Sequence, residues 1–204
     1  MHPREPVVHP VAITDLRPTQ ITVGMREVEE KRRRWRSTEK KGDFLGRHMI
    51  PVLKGPKDRF YVIDHHHLAR ALVEEDVADI LVTVIADLSR LDKDSFWTVC
   101  DLKGWTHPYG ADGVRQRFQD IPKSVTELVD DPYRSLAGSL RRAGGFAKDT
   151  TPFSEFLWAA YLRLHIKRKV IDMDFEAALN KAMTIARGDE AGYLPGWCGP
   201  SDDA

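Results

Sequence analysis

The sequence predicts an α/β (α+β) fold in which a mixed N-terminal half is followed by a helical C-terminal half. Three observations carry that reading: short β-branched runs before residue 90, a strand, helix, strand spacing over Phe60 to Ala86, and repeated helix punctuation after Asp92. Val7 to Ile13 is β-branched and reads as extended. Val23 to Arg36 fits a helix with Met25, Val28 and Trp35 on one side. Met49 to Leu53 and Phe60 to Ile63 are apolar runs joined by Lys54-Gly55-Pro56-Lys57-Asp58, whose turn composition predicts a hairpin. Asp64 through Glu75 carries Leu68, Ala71 and Leu72 at helical spacing, and Ile80 to Ala86 is the strongest strand. Phe60 to Ala86 therefore predicts a right-handed parallel crossover.

In the second half, Asp92 or Asp94 caps a helix carrying Phe96, Val99 and Cys100, which Gly104 stops. Asp131-Pro132 is a cap with proline at the first helical position, Tyr133, Leu136, Ala137 and Leu140 form one face, and Gly144-Gly145 ends the segment. Thr151-Pro152 repeats that grammar before a stripe of Phe153, Phe156, Leu157, Ala160, Tyr161 and Leu164. Phe175, Ala178, Leu179 and Ala182 mark one more helix, and a tail rich in glycine and proline begins at Gly188. The expected division is an α/β domain over residues 1–90 and a helical domain over 91–204 that ends in an irregular tail.

Composition narrows the function classes. With 204 residues, 42% hydrophobic, and Lys+Arg at 31 against Asp+Glu at 31, the chain has the makings of a buried core and no overall surplus of positive charge. Any basic surface is local. The longest apolar stretch, Ile80 to Ala86, is far short of the roughly 20 residues of a membrane span, and Met1 to Pro6 has no signal-peptide character, so the chain is expected in the cytoplasm with no membrane partner. Cys100 and Cys198 have no metal or redox spacing and read as free thiols.

The most unusual feature is Asp64-His65-His66-His67, set where a strand gives way to a helix. Unpaired N–H groups and the helix dipole favour an anion there, Asp64 is placed to cap the helix, and imidazoles reach a phosphate or a metal-bound water. Consecutive helical residues point in different directions, so three histidines in a row do not ligate one metal. His48 precedes the strand Met49 to Leu53 and approaches this cluster if that strand neighbours Phe60 to Ile63. Lys31 to Arg36 is a basic run on a helix, diluted by Glu27, Glu29, Glu30 and Glu39. Trp105 to Gly110 gathers aromatic rings in a loop suited to packing or to stacking on a base.

Phe60 through Leu72, with Asp64-His65-His66-His67-Leu68-Ala69-Arg70-Ala71 at its centre, resembles the second signature of the ParB/sulfiredoxin superfamily, in which a strand leads into a G-E-R-R-x-x-A or D-G-H-H-R-x-x-A type of helix start. Leu16-Arg17-Pro18-Thr19-Gln20, followed by Gly24, Glu27-Val28 and Lys31, resembles the first. With Phe44-Leu45, His48, Ile50-Pro51-Val52 and Gly55-Pro56, these segments are similar to the ParB-like nuclease branch over about residues 7 to 90, and that branch also carries segments like Asp131 to Ala137 and Pro152 to Phe156. The resemblance implies a ParB/sulfiredoxin-like N-terminal domain that holds nucleotide phosphate at the helix start, in a superfamily whose members hydrolyse CTP, transfer phosphate to free serine or reduce a sulfinic cysteine. No cysteine stands near His65 to His67, which sets the last chemistry aside. Gln20 stands where serine-phosphorylating relatives carry a glutamate, and an amide is no general base. His66, His67 and Leu68 stand where partition proteins have Glu, Arg and Arg, so imidazole replaces guanidinium as phosphate donor and binding becomes sensitive to pH.

The expected function is binding of a nucleotide (ATP, ADP or CTP) or another phosphorylated small molecule, with phosphoryl transfer or phosphoester hydrolysis at the Asp64 helix start. Asp64 would orient a water or Mg2+, His66 and His67 would act as acid and base or contact phosphate, and Gln20, Lys31, His48 and His65 would complete the phosphate site. Two alternatives stand beside it: a DNA-binding protein or nuclease using Lys31 to Arg36, and a non-catalytic nucleotide-sensing regulator.

Overall fold

In a computed structural model of the chain, residues 8–200 are described. They form two units: the chain up to Val23 with Val28–Gly110 and Val114–Val129, and Gly24–Glu27 with Ala111–Gly113 and everything from Asp130 onward. The elements up to residue 130 are, in chain order, β1 (Val8–Ala12), β2 (Arg17–Pro18), β3 (Thr22–Val23), α1 (Met25–Ser37), α2 (Lys41–Arg47), β4 (Ile50–Gly55), β5 (Arg59–Val62), α3 (His66–Glu74), β6 (Asp79–Asp87), α4 (Lys93–Leu102) and β7 (Val129–Asp130). The expected extended run began at Val7, which lies outside the described residues; from Val8 onward it is β1.

The first unit is built on a five-stranded sheet of order β1-β6-β4-β5-β2. β4 and β5 form the predicted hairpin, with Val52 opposite Val62 and Gly55 opposite Arg59. Its turn holds Lys57 and Asp58 at φ of 62° and 55°, unusual for side-chain-bearing residues. Gly55 has no substitute here, because a Cβ would lie 2.6 Å from the Tyr61 ring and 2.8 Å from that of Phe96. The expected crossover from β5 to β6 does not form. The tight turn reverses β5 along β4, and β6 takes the other edge of β4 as its parallel partner, so β5 and β6 are neither adjacent nor parallel. A register shift after Val52 leaves Ile85 unpaired between Val84 and Ala86, and its side chain is exposed.

Under this sheet lies a cluster of Ile21, Leu53, Tyr61, Phe96, Trp97, Cys100 and Ile121. Phe96, Trp97 and Cys100 come from α4, whose start is capped by Asp92, one of the two expected candidates, accepting from Asp94 N and Ser95 N at 2.9 Å each. The division expected near residue 90 therefore differs from the structural one: α4 and the chain up to Val129 belong with the sheet, because three buried side chains of α4 complete its core. Burial pushes the Cys100 thiol up to about 12, and both cysteines are free.

The second unit contains α5 (Pro132–Arg142), α6 (Ser154–His165), α7 (Arg168–Met173) and α8 (Phe175–Ala186). α5 buries the predicted face of Tyr133, Leu136, Ala137 and Leu140. α6 differs from its expected form in two respects. Thr151 and Pro152 lie in a turn before it, and the N-cap is Phe153, in a left-handed conformation with no side-chain cap bond. Its buried stripe is Trp158, Ala159, Tyr161 and Leu162, while Leu157 and Leu164 are 45% and 82% exposed. The ring of Trp158 decides that phase: it stacks on Phe146 at 4.4 Å and donates from Nε1 to Pro195 O at 2.8 Å, which also ties down the tail. Four arginines also gather in this unit in pairings that the sequence did not show. Arg142 pairs with Glu27 at 2.5 Å, Arg163 with Asp131 at 2.6 Å and Arg141 with Glu155 at 2.9 Å, while Arg134 lies 3.4 Å above the Phe156 ring.

Candidate functional site

Between β5 and α3 the chain makes a three-residue connection, Ile63 to His65. His65 adopts φ 65° and ψ 25°, the left-handed region, and its carbonyl accepts the first helical bond from Ala69 N at 2.9 Å. His65 is therefore the N-cap, and Asp64, expected as the cap, stands one position too early. Its Oδ1 accepts only from His65 N, at 2.6 Å, and its side chain remains 76% exposed. The helix thus opens with no side-chain cap bond. A non-glycine residue held left-handed costs roughly 1 to 2 kcal/mol, a strain that proteins concentrate at functional turns.

The structure gathers His65, Asp64, His48 and Lys31 into one electrostatic group. The His65 ring lies near the Met49 backbone, immediately before β4. Desolvation by the surrounding protein lowers the His65 pKa below its ordinary 6.5 although 43% of the side chain remains exposed; the Asp64 carboxylate opposes this, and the charges of Lys31 and His48 reinforce it. His48 caps the C-terminus of α2, a short helix that the sequence reading did not anticipate. Its Nδ1 lies 2.8 Å from Phe44 O and its ring stacks on Phe44 at 4.1 Å. A carbonyl only accepts, so Nδ1 carries the proton and Nε2 holds the lone pair. That is the tautomer a general base needs.

The other expected residues sit differently. His66 is buried, and its Nε2 accepts from Thr19 N at 3.2 Å while Thr19 Oγ1 donates to Val62 O at 2.7 Å. This ring locks the segment after β2 to the start of α3. His67 lies half-buried in the first helical turn. Gln20 is buried, with its amide nitrogen donating to Thr22 O at 2.8 Å, so that donor is spent inside the loop between β2 and β3. The basic run on α1 is divided: Arg32 and Arg36 bond to Glu75 at 2.7 and 2.6 Å, while Arg33 and Arg34 are exposed. In the aromatic loop, His107 stacks on Tyr109 at 4.3 Å and Trp105 packs against the sheet cluster.

Sequence reasoning missed the groups that orient these rings. Thr19 and Phe44 act through backbone atoms, which leave no residue-type signature; the four-residue spacing of Phe44 and His48 was the one readable sign of their stacking. Among the described residues no three His, Cys, Asp or Glu side chains are grouped to hold a metal ion. A divalent cation here would rest on Asp64 and on the ligand's own phosphate oxygens, the ordinary arrangement for Mg2+. No described helix is long and apolar enough to cross a membrane.

Comparison with known proteins adds two findings. Residues 9–164 match the family described as "Putative ParB-like nuclease". The chain is also similar to the protein Atu1540 from Agrobacterium tumefaciens, whose crystal structure superposes with a TM-score of 0.92 at 52% sequence identity, covering 97% of this chain and 100% of that one. No curated protein matches it.

Proposed function

Because the chain belongs to the ParB-like nuclease family, we propose that it binds a nucleotide or another phosphorylated small molecule at the turn into α3 and catalyses phosphoryl transfer or phosphoester hydrolysis there. One observation carries the reading: the left-handed His65, its ring near the Met49 backbone, has the charges of Lys31, His48 and Asp64 around it. A helix start with a lysine and imidazoles beside it suits phosphate oxygens. Lys31 supplies fixed positive charge, and His65 and His67 supply donors that strengthen when protonated.

His48 is the proposed base. Its proton at Nδ1 is committed to Phe44 O, so Nε2 takes the proton of the attacking hydroxyl or water as the phosphorus–oxygen bond to the leaving group breaks. Mg2+, when bound with the nucleotide at Asp64, would neutralise developing charge on the phosphate. His66 acts as a positioning residue, because its Nε2 lone pair is engaged by Thr19 N. Gln20 likewise shapes the loop before α1.

Thermal-shift measurements with ATP, ADP and CTP, with and without magnesium, test the binding step, since a ligand at 100 times its dissociation constant adds about 2.7 kcal/mol of stability. Lys31→Ala is expected to weaken the best nucleotide about tenfold, the loss of one charge-assisted contact. His48→Ala is expected to abolish turnover while binding stays within a few-fold. Binding without turnover would make the protein a sensor. If no nucleotide stabilises it and duplex DNA instead binds with a steep salt dependence, the basic helix is the functional surface and this proposal fails.

A further inference from the structure

At the opposite end of β5 from Asp64 lies a cavity of about 510 Å³. Arg59 opens β5 and Asp64 lies two residues beyond its last, so the two places are roughly 16 Å apart along an extended chain. Arg17, Arg59 and Lys123 face this cavity. Among the described residues none of the three has an ion-pair partner. The Arg17 guanidinium lies near the Tyr61 phenol, whose pKa its charge lowers against the larger rise from burial. Asp120, the nearest acid along the chain to Lys123, pairs with Arg117 at 3.0 Å, and Glu127 spends Oε2 on the backbone N–H groups of Lys123 and Ser124 at 3.0 and 3.1 Å.

Two carboxylates also line the cavity, Asp15 and Asp58. The left-handed turn at Lys57 and Asp58 places the second 2.8 Å from Lys54 Nζ, so its charge is already matched. Three cations then face one unmatched carboxylate, a surplus of two positive charges. The remaining walls are the Phe60 ring and the β1 segment around Val11.

We propose that this cavity is a second ligand site, separate from the turn into α3, which binds a small organic phosphomonoester as its dianion. Two guanidinium forks and an ammonium match the three oxygens of a phosphate monoester, and Phe60 offers a flat apolar surface to the organic group. The site stands whether or not the α3 turn binds nucleotide.

Calorimetric titration of the full chain with phenyl phosphate at pH 7.5, where the ester is a dianion, tests it. One saturable site is expected, weakened about tenfold by Arg59→Ala and again by Lys123→Ala, both exposed positions whose loss leaves the fold intact. Phe60→Ala should weaken phenyl phosphate but not inorganic phosphate, and Asp15→Asn should tighten both. Lys31→Ala should leave this titration unchanged; if it alone removes binding, the ligand sits at the α3 turn and the second site is overturned. The absence of heat with folded protein, equal affinities in the Arg59 and Lys123 variants, or succinate binding as tightly as phenyl phosphate would each overturn it as well.

Discussion

Two of the helix starts that follow an aspartate, those of α5 and α3, are built in opposite ways. At α5, Asp131 is the N-cap: it is buried, accepts from Tyr133 N at 3.0 Å, and turns its second oxygen to Arg163 at 2.6 Å. Pro132 occupies the first helical position, where its missing N–H is no loss. At α3, Asp64 lies one residue before the cap, largely in solvent, and a left-handed histidine takes the capping position without a side-chain bond. The first arrangement seals a helix start into a core. The second leaves a carboxylate and a helix dipole facing outward, beside a lysine and two imidazoles, at a cost in backbone strain. A sealed cap and the proposed binding site ask different things of the same residue type, and position by one residue separates them.

The largest expected effect comes from breaking the sealed start. Asp131→Ala removes the cap and strands the partly buried Arg163 guanidinium, and should cost about 3 to 5 kcal/mol in denaturant unfolding. Asp131→Asn, which can still cap, should cost clearly less. If both variants stayed within about 1 kcal/mol of the parent, the contrast between the two starts would collapse.

A smaller effect is expected at the far end of α3, which is anchored from its C-terminal side. Arg36 and Arg32 hold the Glu75 carboxyl down to about 2, against an ordinary 4.5. The folded state binds this proton less readily than the unfolded one, so the stabilisation is complete above pH 4.5 and is lost as pH falls towards 2. Glu75→Gln should destabilise by about 1 kcal/mol at neutral pH, less in high salt, and should flatten that acid limb of the stability curve.

At the open start, Asp64→Asn should change stability by no more than about 0.5 kcal/mol, because the 76% exposed carboxylate accepts from one backbone N–H and otherwise lies 4.0 Å from the exposed His65 ring. The same variant should reduce turnover of a bound nucleotide more than its affinity. An Asp64 variant that unfolded the protein would show a structural cap after all.

The smallest and most specific effect is one of pH. His65 has its proton affinity lowered by desolvation, so the free protein's small stability contribution from this ring is present above pH 6.5 and lost below it. Phosphate binding has the opposite sign: a protonated ring is a better donor, so nucleotide affinity should rise as pH falls below 6.5, and His65→Ala should remove that rise. Identical profiles in the two proteins would exclude His65 from the phosphate contact.

Much of this was readable in the chain because the signals are local. The hairpin of β4 and β5, the caps at Asp92 and Asp131 and the buried face of α5 depend on turn chemistry and residue spacing within about ten residues, and the segments resembling ParB-like proteins pointed to the turn at Asp64 to His67 as the candidate site. The partner of β6, the buried stripe of α6 and the end of the sheet unit were decided by tertiary structure. In each of these places several local patterns are equally good, and long-range packing selects one: β4 for β6, the Trp158 ring for α6, and Phe96 with Trp97 for α4. The same division runs through the candidate site. Residue types along the chain pointed to phosphate chemistry, whereas hydrogen bonds from remote backbone atoms, Thr19 N to His66 and Phe44 O to His48, decided which imidazole is locked into the fold and which keeps a free lone pair.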